Sequence, residues 1–173
     1  MWKKIMSTNR IIILPLFLIP LFFISACERQ NRMNATNSSR ILYGADEHDK
    51  EFGNYIIHIN ALTTDQLPSE IARGYKISRS KNQGMLNVSV RERQKQMEVP
   101  VAASISVIAK NLSSQLKSIE LREVREIDSV AIYYIGELSV GNEETLVFDI
   151  DVKPVGSTKT FLVSYRQKFF TSN

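Results

Sequence analysis

"LVFDIDVKPVGSTKTFLVSY", residues 146–165, decides the fold. Leu146, Phe148, Ile150 and Val152 alternate with Val147, Asp149, Asp151 and Lys153, the period-two pattern of a strand with one buried face. Pro154-Val155-Gly156-Ser157 is a turn signal, and alternation restarts in Phe161, Val163 and Tyr165 before Lys168-Phe169-Phe170. Two strands joined by a turn, with Asp149, Asp151 and Lys153 on the solvated side, belong to an antiparallel sheet.

Working outward, the same period recurs. Tyr55, Ile57, Ile59 and Ala61 share one side of a strand, with Asn54, His58 and Asn60 opposite and Ile56 out of phase. Leu86, Val88 and Val90 form another strand, and Val99 to Ala109 reads as one long strand containing small residues. Pro68 and Gly74 punctuate a short helix over 67–74. Residues 118–134 are less regular. A helix through Leu116, Ile119, Val124 and Ile127 competes with two strands and a bulge or turn near Asp128, and the aromatic run VAIYYIGEL favours the strands. The sum is an all-β chain: an immunoglobulin-like antiparallel sandwich of about seven strands with one short helix, with a small β-barrel as the second choice. The Cys and Trp marks of antibody domains are absent, since the one Trp is Trp2.

The beginning of the chain has a different character. Lys3, Lys4 and Arg10 precede a mainly apolar run from Ile11 to Ala26 that is broken by Pro15 and Pro20. This is the layout of an export signal, and the run is shorter than the roughly 20 residues of a spanning helix. It ends in Ile24-Ser25-Ala26-Cys27, which resembles the lipobox of bacterial lipoproteins. That resemblance implies a diacylglycerol on Cys27, cleavage before it and acylation of the new amino group; more than one acyl chain gives stable membrane attachment. The resemblance also implies that Glu28, in place of Asp after the cysteine, is the signal for transfer to the outer membrane. The expected organisation is a lipoprotein signal over 1–26, a polar flexible tether over 27–50 and a β-sandwich domain over 51–173. The tether would hold the domain roughly 25 to 30 Å from the lipid.

Cleavage also sets the charge. The chain has 22 basic and 18 acidic residues; losing Lys3, Lys4 and Arg10 leaves 19 basic residues against 18 acidic. A balanced surface in an exported chain excludes nucleic acid as a partner. With Cys27 lipidated no thiol remains for a disulfide, redox or soft metal site, and no cofactor is expected.

Motifs with catalytic overtones are weak. Ser78-Arg79-Ser80-Lys81 and Ser114-Gln115-Leu116-Lys117 spell S-x-x-K, but its companion elements are missing. Asp149 and Asp151 share a face with Lys153 and read as solvated. His48 falls in the expected tether and His58 on a strand, too few ligands for zinc. The mixed charges from Glu120 to Asp128 suit either a docking ladder or a solvated face. No catalytic residue and no metal ligand is therefore assigned, and the chain does not read as an enzyme. Lys81, Asn82, Gln83 and Gly84 remain as a candidate recognition loop or a tight turn, because Asn82 and Gly84 accept positive backbone angles.

Several spaced motifs carry a resemblance. Phe52-Gly53-Asn54-Tyr55-Ile56-Ile57-His58, Ser80-Lys81-Asn82-Gln83-Gly84 with Asn87-Val88-Ser89, Arg122 to Glu126, Tyr133-Tyr134, Glu144 to Ile150, and Phe169-Phe170 together resemble the bacterial family known as domain of unknown function 4426. The resemblance runs from about residue 50 to 170 and implies a small exported protein without assigned activity. The expected function is a lipid-anchored, outer-membrane protein facing the periplasm that binds an envelope protein partner through a strand edge or loop face. The alternative is a carrier of a small or lipidic ligand between the sheets.

Overall fold

The computed structural model describes residues 48–126 and 131–171. Among the described residues ten strands form two antiparallel sheets. The larger orders β1 (Asp49–Phe52), β2 (Tyr55–Thr63), β3 (Gln83–Gln94), β8 (Ile132–Ser139) and β7 (Arg122–Arg125), with β4 (Met97–Pro100) also paired to β3. The smaller orders β10 (Phe161–Lys168), β9 (Thr145–Pro154), β5 (Ala103–Asn111) and β6 (Leu116–Lys117). The all-β sandwich expected from the alternation is what forms, and the one α-helix among the described residues is α1 (Ser69–Gly74).

Alternation explains the core directly. Ile57, Ile59 and Ala61 of β2, Leu86, Val88 and Val90 of β3, Leu146, Phe148, Ile150 and Val152 of β9, and Val163 and Tyr165 of β10 all turn inward and are buried in one cluster. Burying each large aliphatic or aromatic side chain of this set stabilises the fold by roughly 1.5–3 kcal/mol before chain entropy is subtracted. Ile56, out of phase, is buried too, between its register partners Glu51 and Arg91 on the outer face. Phe52 stacks on Phe161 with ring centroids 4.6 Å apart, closing one end of the sandwich between β1 and β10.

Two glycines on the inner face leave room for neighbours. A Cβ on Gly84 would stand 2.8 Å from Val140 Cγ1 and 3.0 Å from Phe169 Cε1. One on Gly136 would stand 2.7 Å from Ile119 Cγ1 and 2.8 Å from Leu121 Cδ2. Small positions opposite large ones let the layers interdigitate.

The long strand expected over 99–109 divides. The Val101 N–H donates to Val90 O of the larger sheet at 2.9 Å, whereas Ala102 O accepts from Val155 N–H, beyond β9, at 2.8 Å. The chain thus changes sheets within one peptide unit, just after Pro100. The alternation runs unbroken through the crossing, so hydrophobic period alone could not reveal it. Tyr134 seals the corner: its hydroxyl accepts the Ala103 N–H at 2.7 Å and donates to Glu123 Oε2 at 3.0 Å.

Three residues read as tether belong to the sandwich. His48 O accepts from Ile59 N–H at 2.7 Å, and Asp49 and Lys50 pair with His58 and Ile57 in β1. Lys50 is buried on the inner side. In the irregular stretch the described residues form β6, β7 and β8 rather than a helix; Ile127 and Asp128 lie outside the described residues.

The helix covers part of the outer face of the larger sheet. Ala72 and Ile77 pack with Leu67, Met85 and Ile135 in a second, smaller core. Its end is a Schellman motif: Ile77 N–H donates to Ala72 O at 2.8 Å and Lys76 N–H to Arg73 O at 3.1 Å. Gly74 ends the helix as its sequence position suggested, and the left-handed residue is Lys76, at φ 56°.

Candidate functional site

The Ser80–Gly84 segment joins the helix region to β3, and its backbone is held from several sides. Thr64, fully buried, donates its hydroxyl to Ser78 O at 2.8 Å and accepts the Ser80 N–H at 2.9 Å. Arg79 reaches Ser69 Oγ and Asp65 O, at 3.1 and 2.6 Å. Lys81 and Asn82 form the tip of a turn in which the Gln83 N–H points to Ser80 O at 3.4 Å and the Asn82 N–H to Ser80 Oγ at 3.2 Å.

Neither Asn82 nor Gly84 has the positive φ expected of it. Gly84 is required for packing instead, because Val140 and Phe169 occupy the space a side chain would need. The loop also has a carboxylate partner that sequence reasoning missed: Gln83 Nε2 donates to Glu137 Oε2 at 3.1 Å. Lys81 and Asn82 stay exposed. The four candidate residues therefore separate into an outward pair, Lys81 and Asn82, a bridging Gln83 and a structural Gly84.

Glu137 leads into a groove of about 500 Å³ lined by Ser118, Ile119, Glu120, Leu121, Arg122, Ile135 and Glu137. Its origin is the connector between β6 and β7. Ile119 and Leu121 sink onto Gly136 from the inner side, and β7 pairs with β8 only from Arg122 onward. Among the described residues no backbone hydrogen bond joins Glu137 to the connector. The β8 backbone there is an open sheet edge beside the Gln83 loop, with Lys117 Nζ on Ser139 O at 3.3 Å. Lys117 also pairs with Glu144 at 2.8 Å. Burial pushes the Glu144 carboxyl up, but Lys117 and the Gly141 N–H outweigh it, so its pKa lies below the ordinary value.

A second groove, of about 280 Å³, lies on the larger sheet and is lined by His48, Asp49, His58, Ile59, Asn60 and Asn87. The register places Asp49, His58 and Ser89 in one cross-strand row and Asn60 beside Asn87 in the next. His58 Nδ1 is 2.6 Å from Asp49 Oδ1. The order Asp-His-Ser suggests acyl transfer, yet no hydrogen bond among the described residues links Ser89 to His58, so the nucleophile and base of such a site are not joined.

The other sequence candidates resolve plainly. Neither S-x-x-K stretch starts a helix: Ser78 lies in irregular chain between α1 and β3, and Ser114 is a left-handed turn residue at φ 62°. Asp149 pairs with Lys110 at 2.7 Å, and Asp151 is exposed. The charged run of β7 is engaged within the fold: Arg125 with Glu123, Glu123 with Tyr134, Arg122 with Tyr75 O, and Tyr75 with Glu126. Burial, then the Glu126 carboxylate, drives the Tyr75 hydroxyl up to about 12. Among the described residues no group of three or more His, Cys, Asp and Glu could hold a metal. Cys27 lies outside the described residues.

The model of the domain of unknown function DUF4426 matches residues 49–172. The chain belongs to the DUF4426 family. A crystal structure of a DUF4426 family protein from Pseudomonas aeruginosa PAO1 is similar with a TM-score of 0.61 and 30% identity, covering 76% of this chain and all of that one. No curated protein matches the chain. DUF4426 membership agrees with the resemblance of the Phe52–His58, Ser80–Gly84 and Glu144–Ile150 motifs, and the family description carries no catalytic assignment.

Proposed function

We propose that this DUF4426 protein is a lipid-anchored envelope protein, held in the outer membrane through Cys27 and facing the periplasm, whose sandwich is a non-catalytic docking module for another envelope protein. The observation that carries the docking reading is the join between the two surfaces. The Gln83–Glu137 hydrogen bond couples a backbone-locked loop, presenting Lys81 and Asn82, to a groove floored by the open edge of β8. An extended segment of a partner satisfies such an edge with main-chain hydrogen bonds, and a loop held in advance costs little ordering entropy on binding. The interior speaks against the carrier reading, because Leu86, Val88, Leu146, Phe148 and Val152 from facing sheets fill it with 0% exposure.

The anchor is supported by the charged start, the short apolar run and the Ile24-Ser25-Ala26-Cys27 tetrad. Labelled palmitate should enter the wild type and not Cys27→Ala; equal labelling of both removes the anchor from the proposal. For docking, cross-linking in cells followed by mass spectrometry should recover one specific partner from the wild type. A Lys81→Ala/Gln83→Ala variant of unchanged stability should lose it. Retention of the partner by that variant would make the segment only a turn.

A further inference from the structure

We propose that the groove on the larger sheet is a binding site for a neutral, hydroxyl-rich ligand about the size of one sugar ring. It is separate from the docking edge at Glu137 and stands on different observations.

The first observation is chemical selection by the lining. Apart from Ile59 it is polar, made by His48, Asp49, His58, Asn60 and Asn87, without Lys or Arg. An anionic ligand would meet the Asp49 carboxylate with no fixed cation to balance it. Asp49 is in turn engaged by the His58 ring at 2.6 Å, which offsets its attraction for a free cation. In a neutral imidazole whose Nδ1–H donates to Asp49, the other ring nitrogen is an acceptor. Two carboxamides in direct register, Asn60 and Asn87, each offer an acceptor and two donor hydrogens. Hydroxyl groups both donate and accept, so a vicinal diol matches paired amides and an imidazole better than a phosphate or an ammonium does.

The second observation is an unmet demand. Asn87 Oδ1 is buried and has no hydrogen-bond partner. An orphaned acceptor of this kind costs about 1–3 kcal/mol. The same strand shows the contrast: Met85, two residues earlier on that face, is buried under the helix region, where an apolar side chain suffices. A ligand donor, reached after rotation of the amide, relieves the orphan. A residue kept for stability alone would have been better served by an apolar group, and departures of this sort recur at functional sites.

The third is size. At about 280 Å³ the groove is at or below the small end of ligand pockets and suits one ring rather than a chain or an acyl tail.

The test uses the purified full-length chain, isotope-labelled, titrated with methyl N-acetylglucosaminide, with maltose and with inorganic phosphate while amide and side-chain shifts are followed. The expected result is saturable shifts at His58, Asn60 and Asn87 with at least one sugar, at a Kd on the order of 1 mM, and none with phosphate. Asn87→Leu should weaken sugar binding at least tenfold while leaving the urea midpoint unchanged or higher, and Asn60→Ala should weaken binding similarly. No saturable shift with either sugar, or equal shifts with phosphate, overturns the proposal. So does an Asn87→Leu variant that is destabilised yet binds normally, since Asn87 would then be a structural residue.

Discussion

Replacing Gly136 with Ala tests how the connector that shapes the docking groove is held. The added Cβ would lie 2.7 Å from Ile119 Cγ1 and 2.8 Å from Leu121 Cδ2, against ordinary contacts of 3.4–4 Å. Both side chains would have to retreat by about 0.7 Å, and Cγ1 of Ile119 is close to its backbone, so the connector itself must shift. Overpacking of this kind costs about 1–3 kcal/mol. Reduced freedom of the unfolded chain returns roughly 0.5–1 kcal/mol, which leaves a net loss of about 1.2 kcal/mol at mid-range and at most about 2.5 kcal/mol. With a urea slope of about 1.5–2 kcal/mol per molar, the midpoint of unfolding followed by circular dichroism should fall by about 0.7 M for the mid-range loss. Ile119→Ala removes both Cγ1 and Cδ1, so Gly136→Ala should cost less in that background, where the remaining close contact is the terminal Leu121 Cδ2 at 2.8 Å. A Gly136→Ala variant as stable as wild type, or one whose cost is the same in the Ile119→Ala background, refutes the account of Gly136 as the seat of the connector.

Tyr134→Phe should lower stability by about 1–2 kcal/mol in urea, because the Ala103 N–H loses its acceptor at the sheet crossing. Lys76→Gly should raise the thermal midpoint, by an increment of about 0.5–1 kcal/mol, since the left-handed Schellman position favours glycine. Glu144 binds its proton less tightly folded than unfolded. Its stabilisation is therefore present above the ordinary glutamate value of 4.5 and is lost as pH falls through the lower folded value; Lys117→Met should flatten that acid limb in a series of urea midpoints. At the alkaline end, ultraviolet difference absorbance should show the Tyr75 hydroxyl ionising near 12, and Glu126→Gln should bring it closer to 10.

The sandwich was legible because each long strand keeps one face apolar. In β9 four inward residues alternate without error, and the turn after Pro154 is spelled in local residues. What stayed hidden depends on distant parts of the chain. The sheet change at Val101-Ala102 preserves alternation, and its evidence lies in hydrogen bonds to Val90 and Val155. His48 to Lys50 look polar enough for a linker, yet Lys50 lies buried against the core and His48 reaches Ile59.

The candidate loop was located in the sequence, but its workings were not. Glycine at position 84 suggested backbone freedom, whereas its reason is the nearness of Phe169, many residues away. The Glu137 partner of Gln83 and the adjacency of His58, Asn60 and Asn87 to Asp49 are products of strand register, which no local motif encodes.

The stacking of Phe52 on Phe161 and the seating of Phe169 against Gly84 bear on the order in which the molecule can be made. Both contacts close loops of most of the domain's length, so the interior cannot be completed from the first half of the chain alone. Domains dominated by such non-local pairings fold in roughly milliseconds to seconds, slowly compared with helical bundles. For a chain exported as proposed, that delay is an advantage. The segment carrying the signal can be threaded through a translocation channel while its later strands are still absent, and no premature compact state stands ready to jam the passage.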